Sequence, residues 1–279
     1  LYYHENVFRP ARHAREFREI AQTGLECIGA LTAYDISEIL FLAQRTLFAV
    51  DESYVLDVSH LGFVSAVLEE LGADGALSRK LLNLLQKKAP HELAKLAKAF
   101  GMGEEELSTL MRLATVSGGF DETVSIAKTL CREKRSEAAL NELVSICEPL
   151  QKRCLRLDFS IVSDLKYYNG VVFQGYVPKV PEPVLSGGQY DLLLQKMGKR
   201  GKKAAGFALY LDGIERYYGE LRTLPPVITI LYDPDDSPAN IFAAVEQEAG
   251  FGGAVRAVTD PKDATGRVVD LRKKGADHA

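Results

Sequence analysis

The sequence predicts an α+β fold, and three observations predict it. Strand-like segments gather in residues 1–61 and again beyond 150. Helical periodicity fills the stretch between them, and neither strand-rich region alternates regularly between strand and helix. Leu1 to Phe8 reads as a strand, Arg9 to Glu19 as a charged loop and Ile20 to Gly29 as a second strand. Asp35-Ile36-Ser37 looks like a helix start, an Asp cap followed by Ile36, Ile39, Leu40, Ala43 and Leu47 at helical spacing. Tyr54-Val55-Leu56-Asp57-Val58 is a short strand.

Strand signals vanish over 62–150, which reads as an all-helical insertion between two β-rich segments. Val64, Val67, Leu68 and Leu71 share one helical face that stops at Gly72. Leu93, Leu96, Ala97 and Phe100 do the same before Gly101, and Leu140, Leu143, Val144 and Cys147 before Pro149. Such stripes are what a helix buries in a core. Strands return with Leu155, Leu157 and Phe159 alternating against Arg156 and Asp158. Next comes Lys166-Tyr167-Tyr168-Asn169-Gly170-Val171-Val172-Phe173, where Asn-Gly between strand formers predicts a hairpin turn with both central residues at positive φ. Gly206 to Leu211 reads as a strand and Asp212 to Glu220 as a helix. Pro225-Pro226 marks a boundary. Val227 to Tyr232, a helix near Ala239–Ala249 and Val255 to Val258 then suggest a small, incomplete α/β segment over 225–279.

The 279 residues suffice for one large domain or two ordinary ones, and 47% hydrophobic content supports a sizeable core. A net charge of −4 argues against a chain built mainly to bind nucleic acid. No apolar run approaches the ~20 residues that span a bilayer, and no signal peptide opens the chain. Cys27, Cys131, Cys147 and Cys154 form no C-x-x-C pair and the five histidines are scattered, so no metal site is expected. Reduced thiols in a cytoplasmic protein are the expectation. The start at Leu1-Tyr2-Tyr3-His4, without methionine and already strand-like, suggests that residues precede it.

Walker, G-x-G-x-x-G, G-x-S-x-G and H-E-x-x-H motifs are all missing. Two constellations and two weaker stretches remain. On a strand, Gln22, Gly24 and Glu26 share one face. An amide and a carboxylate flanking a glycine either leave room for a ligand or form a solvated sheet face. Tyr167 and Tyr168, ahead of a tight turn, put one phenol on each face of a sheet, for a ligand or simply one packed and one exposed. Gly187-Gly188 is either a turn or a place where backbone approaches a ligand. Lys196, Lys199, Arg200, Lys202 and Lys203 either meet phosphate or form a solvated loop.

These residues occur in a telling order. Tyr2-Tyr3…Phe8-Arg9 is followed by Arg15-Glu16-Phe17…Gln22-Thr23-Gly24-Leu25-Glu26…Gly29. Asp164-Leu165-Lys166-Tyr167-Tyr168-Asn169, Ser186-Gly187-Gly188-Gln189-Tyr190-Asp191 and Gly206-Phe207-Ala208 come after. The series resembles the class II histidyl-tRNA synthetase core over roughly residues 1–60 and 154–221. The resemblance implies an antiparallel sheet with flanking helices, formed by 1–61 and 151–224, with 62–150 inserted. The departures fall on catalysis. Ala11 stands where the Phe-Arg-x-Glu motif has its glutamate, Ser163 where an activating arginine belongs, Lys166 where an aspartate belongs, and Gly213 where the third motif carries an arginine for ATP. Losing one such stabiliser typically costs ~10²–10³ in rate.

A synthetase-like chain without its cations resembles the regulatory-subunit family of ATP phosphoribosyltransferase. Val162-Ser163-Asp164-Leu165 and the run from Tyr167 to Pro178 carry that likeness, as does Val184 to Tyr190. The resemblance implies a chain that is no enzyme itself and needs no cofactor. It would form a hetero-oligomer with a short catalytic subunit, with a homodimer inside the complex, and would not engage nucleic acid or membrane. Histidine would be the feedback effector, held by Gln22, Glu26, Tyr167, Tyr168 and Arg9. Glu26 would accept from one imidazole nitrogen, the Tyr168 hydroxyl would meet the other, and Gln22 would lie near the α-amino group, with Arg9 toward the carboxylate. The alternatives are a true histidyl-tRNA synthetase, or a paralogue with another binding or modifying role.

Overall fold

Tyr2–Pro10 (β1) and Phe17–Gly29 (β2) pair antiparallel from Tyr2↔Leu25 to Pro10↔Phe17. The strands thus run further into the charged segment than the loop expected over Arg9–Glu19. The computed structural model describes residues 1–10, 17–162, 168–199, 201–219, 227–249 and 254–272, with backbone alone at Arg9, Pro10 and Arg18. Two units are present, residues 1–217 and 218–279.

In the first unit β1 and β2 open an eight-stranded sheet. The other strands are Val55–His60 (β3), Ser117–Gly119 (β4), Leu155–Asp158 (β5), Val171–Tyr176 (β6), Leu185–Gln189 (β7) and Lys203–Tyr210 (β8), in the order β1-β2-β8-β7-β6-β3-β5-β4. Every pairing is antiparallel except β3 with β5. One face is apolar: Leu56, Val58, Leu157, Phe173, Leu185, Phe207 and Leu209 are all buried there. Ala33–Val50 (α1) covers it. Leu47 of α1 sits so close to the sheet that a Cβ on Gly175 would lie 2.5 Å from its Cδ1. The helix starts earlier than an Asp35 cap would place it. Thr32 is the cap, and Asp35 reaches back from the third position to accept from the Thr32 amide at 2.6 Å and its hydroxyl at 2.7 Å.

The helices of the middle segment are Leu61–Glu70 (α2), Gly75–Gln86 (α3), Pro90–Ala99 (α4), Glu104–Thr115 (α5), Phe120–Lys128 (α6) and Lys134–Cys147 (α7). Gly72 and Gly101 end α2 and α4 at φ +78 and +80, as their positions in the sequence foretell. The segment is not wholly helical. Strand β4, three residues with two glycines, extends the sheet at its edge beside β5. The segment's buried leucines belong to the same continuous core as the sheet. Phe100, expected inside, is 53% exposed beneath the Lys80 ammonium, because α4 ends before it.

Asp158 at the end of β5 accepts from Lys88 Nζ at 2.9 Å and from Ser160. Burial pushes its carboxyl up, but Lys88 and the Ser160 hydroxyl and amide together outweigh this and hold it below the ordinary carboxylate range. Folding therefore favours the ionised form. This stabilisation is present above the unfolded value of ~4 and is lost as pH falls through the lower folded value. Lys88→Ala should cost ~1–2 kcal/mol at neutral pH, discounted for the exposed lysine. Urea denaturation should show that loss shrinking as pH drops below ~4; a loss equally large in acid would mean Lys88 acts through packing.

The predicted Asn169-Gly170 hairpin does not form. Strands β5 and β6 are not neighbours; each pairs with β3, which lies between them, and neither Asn169 nor Gly170 has positive φ. Leu211–Tyr218 (α9) follows Asp191–Lys196 (α8) and β8.

In the second unit Ile228–Leu231 (β9) is flanked by Val255–Val258 (β10) and Arg267–Asp270 (β11), both parallel to it, with Pro238–Ala249 (α10) packed on β9 and β10. All four β9 residues are buried, as a central parallel strand requires. Strand β11 was not foreseen, and Pro225-Pro226 lie outside the described residues.

Candidate functional site

The second face of the eight-stranded sheet is polar and carries the candidate site. Paired residues point to the same face, so the register sets the site out in rows. Gln22 pairs with Tyr210. Gly24 pairs with Ala208, which pairs with Ser186, which pairs with Gln174. Glu26 pairs with Gly206, which pairs with Gly188, which pairs with Val172. Between β2 and β6 the floor is thus Gly206, Gly188, Ala208 and Ser186. Two interposed strands at ~4.8 Å spacing leave a shallow bed ~14 Å across from β2 to β6, enough for an amino acid.

The glycines admit the polar groups. A Cβ on Gly206 would lie 2.1 Å from Glu26 Oε2, and one on Gly188 would lie 2.7 Å from Tyr168 Cδ1. The Glu26 carboxylate and the Tyr168 ring therefore lie over two adjoining glycines, and the structure brings these two predicted residues together. Gln22, also on this face, is 7% exposed rather than solvated. Its Nε2 donates to the Tyr3 hydroxyl at 3.1 Å. Its Oε1 is buried with no hydrogen bond among the described residues. Buried acceptors are normally satisfied, so this one suits a donor that arrives with a ligand. Of the other predicted residues, Tyr167 and the Arg9 side chain lie outside the described residues, as do Ala11 and Ser163.

The space over Gly24 is not open. The Tyr3 phenol fills it, 2.5 Å from where a Cβ would be. Residues that sequence reasoning missed complete the site. Tyr190 donates its phenol to Glu26 Oε2, and Ser186 and Tyr210 share a 2.5 Å hydrogen bond beyond Ala208. Glu26 is half-buried. Burial pushes its carboxyl above the ordinary range, and the Tyr190 phenol offsets part of that. A carboxylate has two acceptor oxygens; with Tyr190 on one, the other can take an N–H. The Ser186–Gln189 segment, which could have been a turn, is strand β7, and its glycines are what let β6 and β8 close on it. Beyond β7, Asp191 accepts from Gln189, Asn169 and the Ala204 amide, which fixes the chain next to Tyr168. A cavity of about 310 Å³ opens beside Tyr168, Asn169 and Leu192 against α2 and α3. Gln22 and Glu26 do not line it, so the groups that suit an amino acid lie on the sheet.

A largely antiparallel sheet with one polar face and an apolar face under a long helix has the class II synthetase architecture. The family model described as histidyl-tRNA synthetase matches residues 1–214, and the chain belongs to the histidyl-tRNA synthetase family. An ATP phosphoribosyltransferase regulatory subunit from Shouchella clausii is 31% identical over 77% of this chain and 55% of its own length. A histidine–tRNA ligase from Methanocaldococcus jannaschii is 29% identical over 77% of this chain and 51% of its own. The chain therefore spans about half the length of the curated relatives it matches. Among solved structures, an ATP phosphoribosyltransferase regulatory subunit/histidyl-tRNA synthetase from Bacillus halodurans superposes with TM-score 0.76 at 24% identity, over 98% of this chain and 73% of that one. The ATP phosphoribosyltransferase complex from Thermotoga maritima contains a chain with TM-score 0.60 at 20% identity, over 76% and 72%. Both likenesses are of fold. No helix among the described residues is long and apolar enough to cross a membrane, and no cluster there could hold a metal ion.

Proposed function

We propose that this chain is a non-catalytic regulatory subunit of ATP phosphoribosyltransferase, acting in the cytoplasm. It joins a short catalytic subunit, activates it and carries histidine inhibition to it. The observation that carries the reading is the buried, unsatisfied Gln22 Oε1 on the same sheet face as Glu26 and Tyr168. An amino acid brings both missing partners, an ammonium for Gln22 and an imidazole N–H for Glu26. Tyr168 closes the far side. Arg9 is the proposed partner of the carboxylate, and Tyr167 is a further proposed contact to histidine. The proposed layout is a core of 1–61 and 151–224, an insertion of 62–150 and a C-terminal segment of 225–279.

The non-catalytic part of the reading rests on Gly213. A side chain there would start 3.0 Å from Val184 Cγ1, and α9 meets Val184 through bare backbone where the family motif has its arginine. The specific observation that favours a synthetase instead is Arg216, one helical turn on, which pairs with Glu182 at 3.2 Å. Two assays decide. Histidine-dependent pyrophosphate exchange should stay at background, and exchange at synthetase rates would return the chain to the ligases. Gel filtration with the short catalytic subunit at micromolar concentration should give co-migration and raised phosphoribosyltransferase activity; separate elution would end the partner proposal.

A further inference from the structure

Helices α3 and α4 hold more apolar surface than the core takes up. Leu77, Leu81, Leu82 and Leu85 of α3 and Leu93 and Ala97 of α4 are buried. Leu84 and Leu96 are only half-buried, and Phe100, one turn beyond Leu96, is 53% exposed. An open groove of about 460 Å³ is lined by Leu84 and Leu96, with the exposed Arg79, Lys80 and Asn83 at its rim. The Lys80 ammonium lies 5.5 Å from the centre of the Phe100 ring, which carries the apolar floor on toward the end of α4. The charge here is one-sided. Residues 75–100 hold Arg79, Lys80, Lys87, Lys88, Lys95 and Lys98 against a single acid, Glu92, in a chain whose net charge is −4. Lys88 pairs with Asp158; the other five form no ion pair among the described residues. Of the flanking acids, Asp74 caps α3, and Glu105 and Glu106 meet Arg132.

We propose that the groove between α3 and α4 is a docking site for an amphipathic helix of a partner protein, one that carries acidic residues beside its apolar stripe. Two packed helices leave a furrow on their outer side in which a third can lie, ~8–10 Å from each axis. A helix in that furrow sets apolar residues at i, i+3 or i+4 and i+7 against Leu84, Leu96 and Phe100. Its flanking carboxylates meet Arg79 and Lys80, which have no counter-ion among the described residues. The same cations would attract a nucleic acid, but the floor is wrong for one. Two leucines offer phosphate no hydrogen bond and a base no stacking plane, and Phe100 is a single ring already under an ammonium. The chain's net charge of −4 also opposes a long polyanion. An isolated groove of leucines would bind apolar helices indiscriminately; the basic rim restricts the partner to acidic ones. The inference does not rest on histidine binding or on the phosphoribosyltransferase reading.

Fluorescence anisotropy on the full chain tests it, with circular dichroism to confirm that each variant is folded. The probe is a fluorescein-labelled helical peptide with leucines at i, i+3 and i+7 flanked by glutamates. It should bind saturably with a dissociation constant below ~100 μM. Phe100→Ser, on the exposed ring, should raise that constant ~10-fold or more, as for an interface anchor. Arg79→Glu with Lys80→Glu should raise it ~30–100-fold and should reverse the preference, so that the double variant takes a peptide with lysines in place of the glutamates. Lys128→Glu, exposed on α6 outside the groove, should change nothing. Absence of saturable binding overturns the proposal, as does binding that Phe100→Ser and the double charge reversal leave unchanged. A short RNA duplex that binds more tightly than the peptide, and loses that binding in the same double variant, would give the surface to a nucleic acid instead.

Discussion

Glu26→Ala should weaken histidine binding by ~10–150-fold, the loss of one charge-assisted hydrogen bond worth ~1.5–3 kcal/mol. The carboxylate is half-buried over Gly206 and aimed by the Tyr190 phenol. Tyr168→Phe removes a neutral hydroxyl and should cost less, ~2–10-fold. Co-migration with the catalytic subunit and basal activation should survive both changes. A pH series separates charge from shape. Because burial raises the Glu26 pKa, binding should weaken as pH falls through a value above the ~4.3 of an ordinary glutamate. Glu26→Gln should lose that component and keep the one due to the imidazole of free histidine. Calorimetry reads both. Unaltered affinity in Glu26→Ala would move the effector site off this sheet face.

Much of the fold was legible because local signals agreed with the packing. The stripe from Ile36 to Leu47 became the buried face of α1, and the glycine stops at Gly72 and Gly101 fell where a left-handed residue ends a helix. The failures have physical causes. Asn-Gly makes a hairpin turn only when both residues take positive φ, and here neither does; the Asn169 amide donates to the Gln189 carbonyl across to β7 instead. Strand β4 is short and contains two glycines, and β11 has only two apolar residues; their pairing comes from partners distant in sequence.

The site was legible by half. Period-two alternation put Gln22 and Glu26 on one face, and the register agrees. Alternation could not say which face was covered, so a solvated Gln22 stayed open as one alternative; the side chain is buried. Nor could it place Tyr3 over Gly24, because that contact needs the β1–β2 register. Tyr190 stood in a quoted motif, yet its role depends on β7 and β8 carrying it across to β2. A carboxylate and a phenol that are 164 residues apart meet only through the sheet.

Gly187→Ala should destabilise the first unit by ~3 kcal/mol, which for a unit of this size lowers Tm by ~6–12 °C. The new Cβ would lie 2.4 Å from the Gly206 carbonyl oxygen, 2.6 Å from Phe173 Cζ and 2.6 Å from Phe207 Cβ. Two of these atoms belong to the backbone or first side-chain carbon of β8, so relief requires that strand to shift. The third is the ring that meets Phe207 edge-on at 6.4 Å between centroids. Strand β7 is bonded on both sides, to β6 and β8, and cannot back away. Any displacement of β8 also moves Gly206 under Glu26, so histidine affinity should fall along with stability. Gly29→Ala is the matched control: nothing lies within 4 Å of its Cβ position, and its effect should stay within ~0.5 kcal/mol. Thermal and urea unfolding of the pair should differ by several-fold in destabilisation. Equal, small losses would mean that β7 and β8 are packed more loosely than these contacts imply.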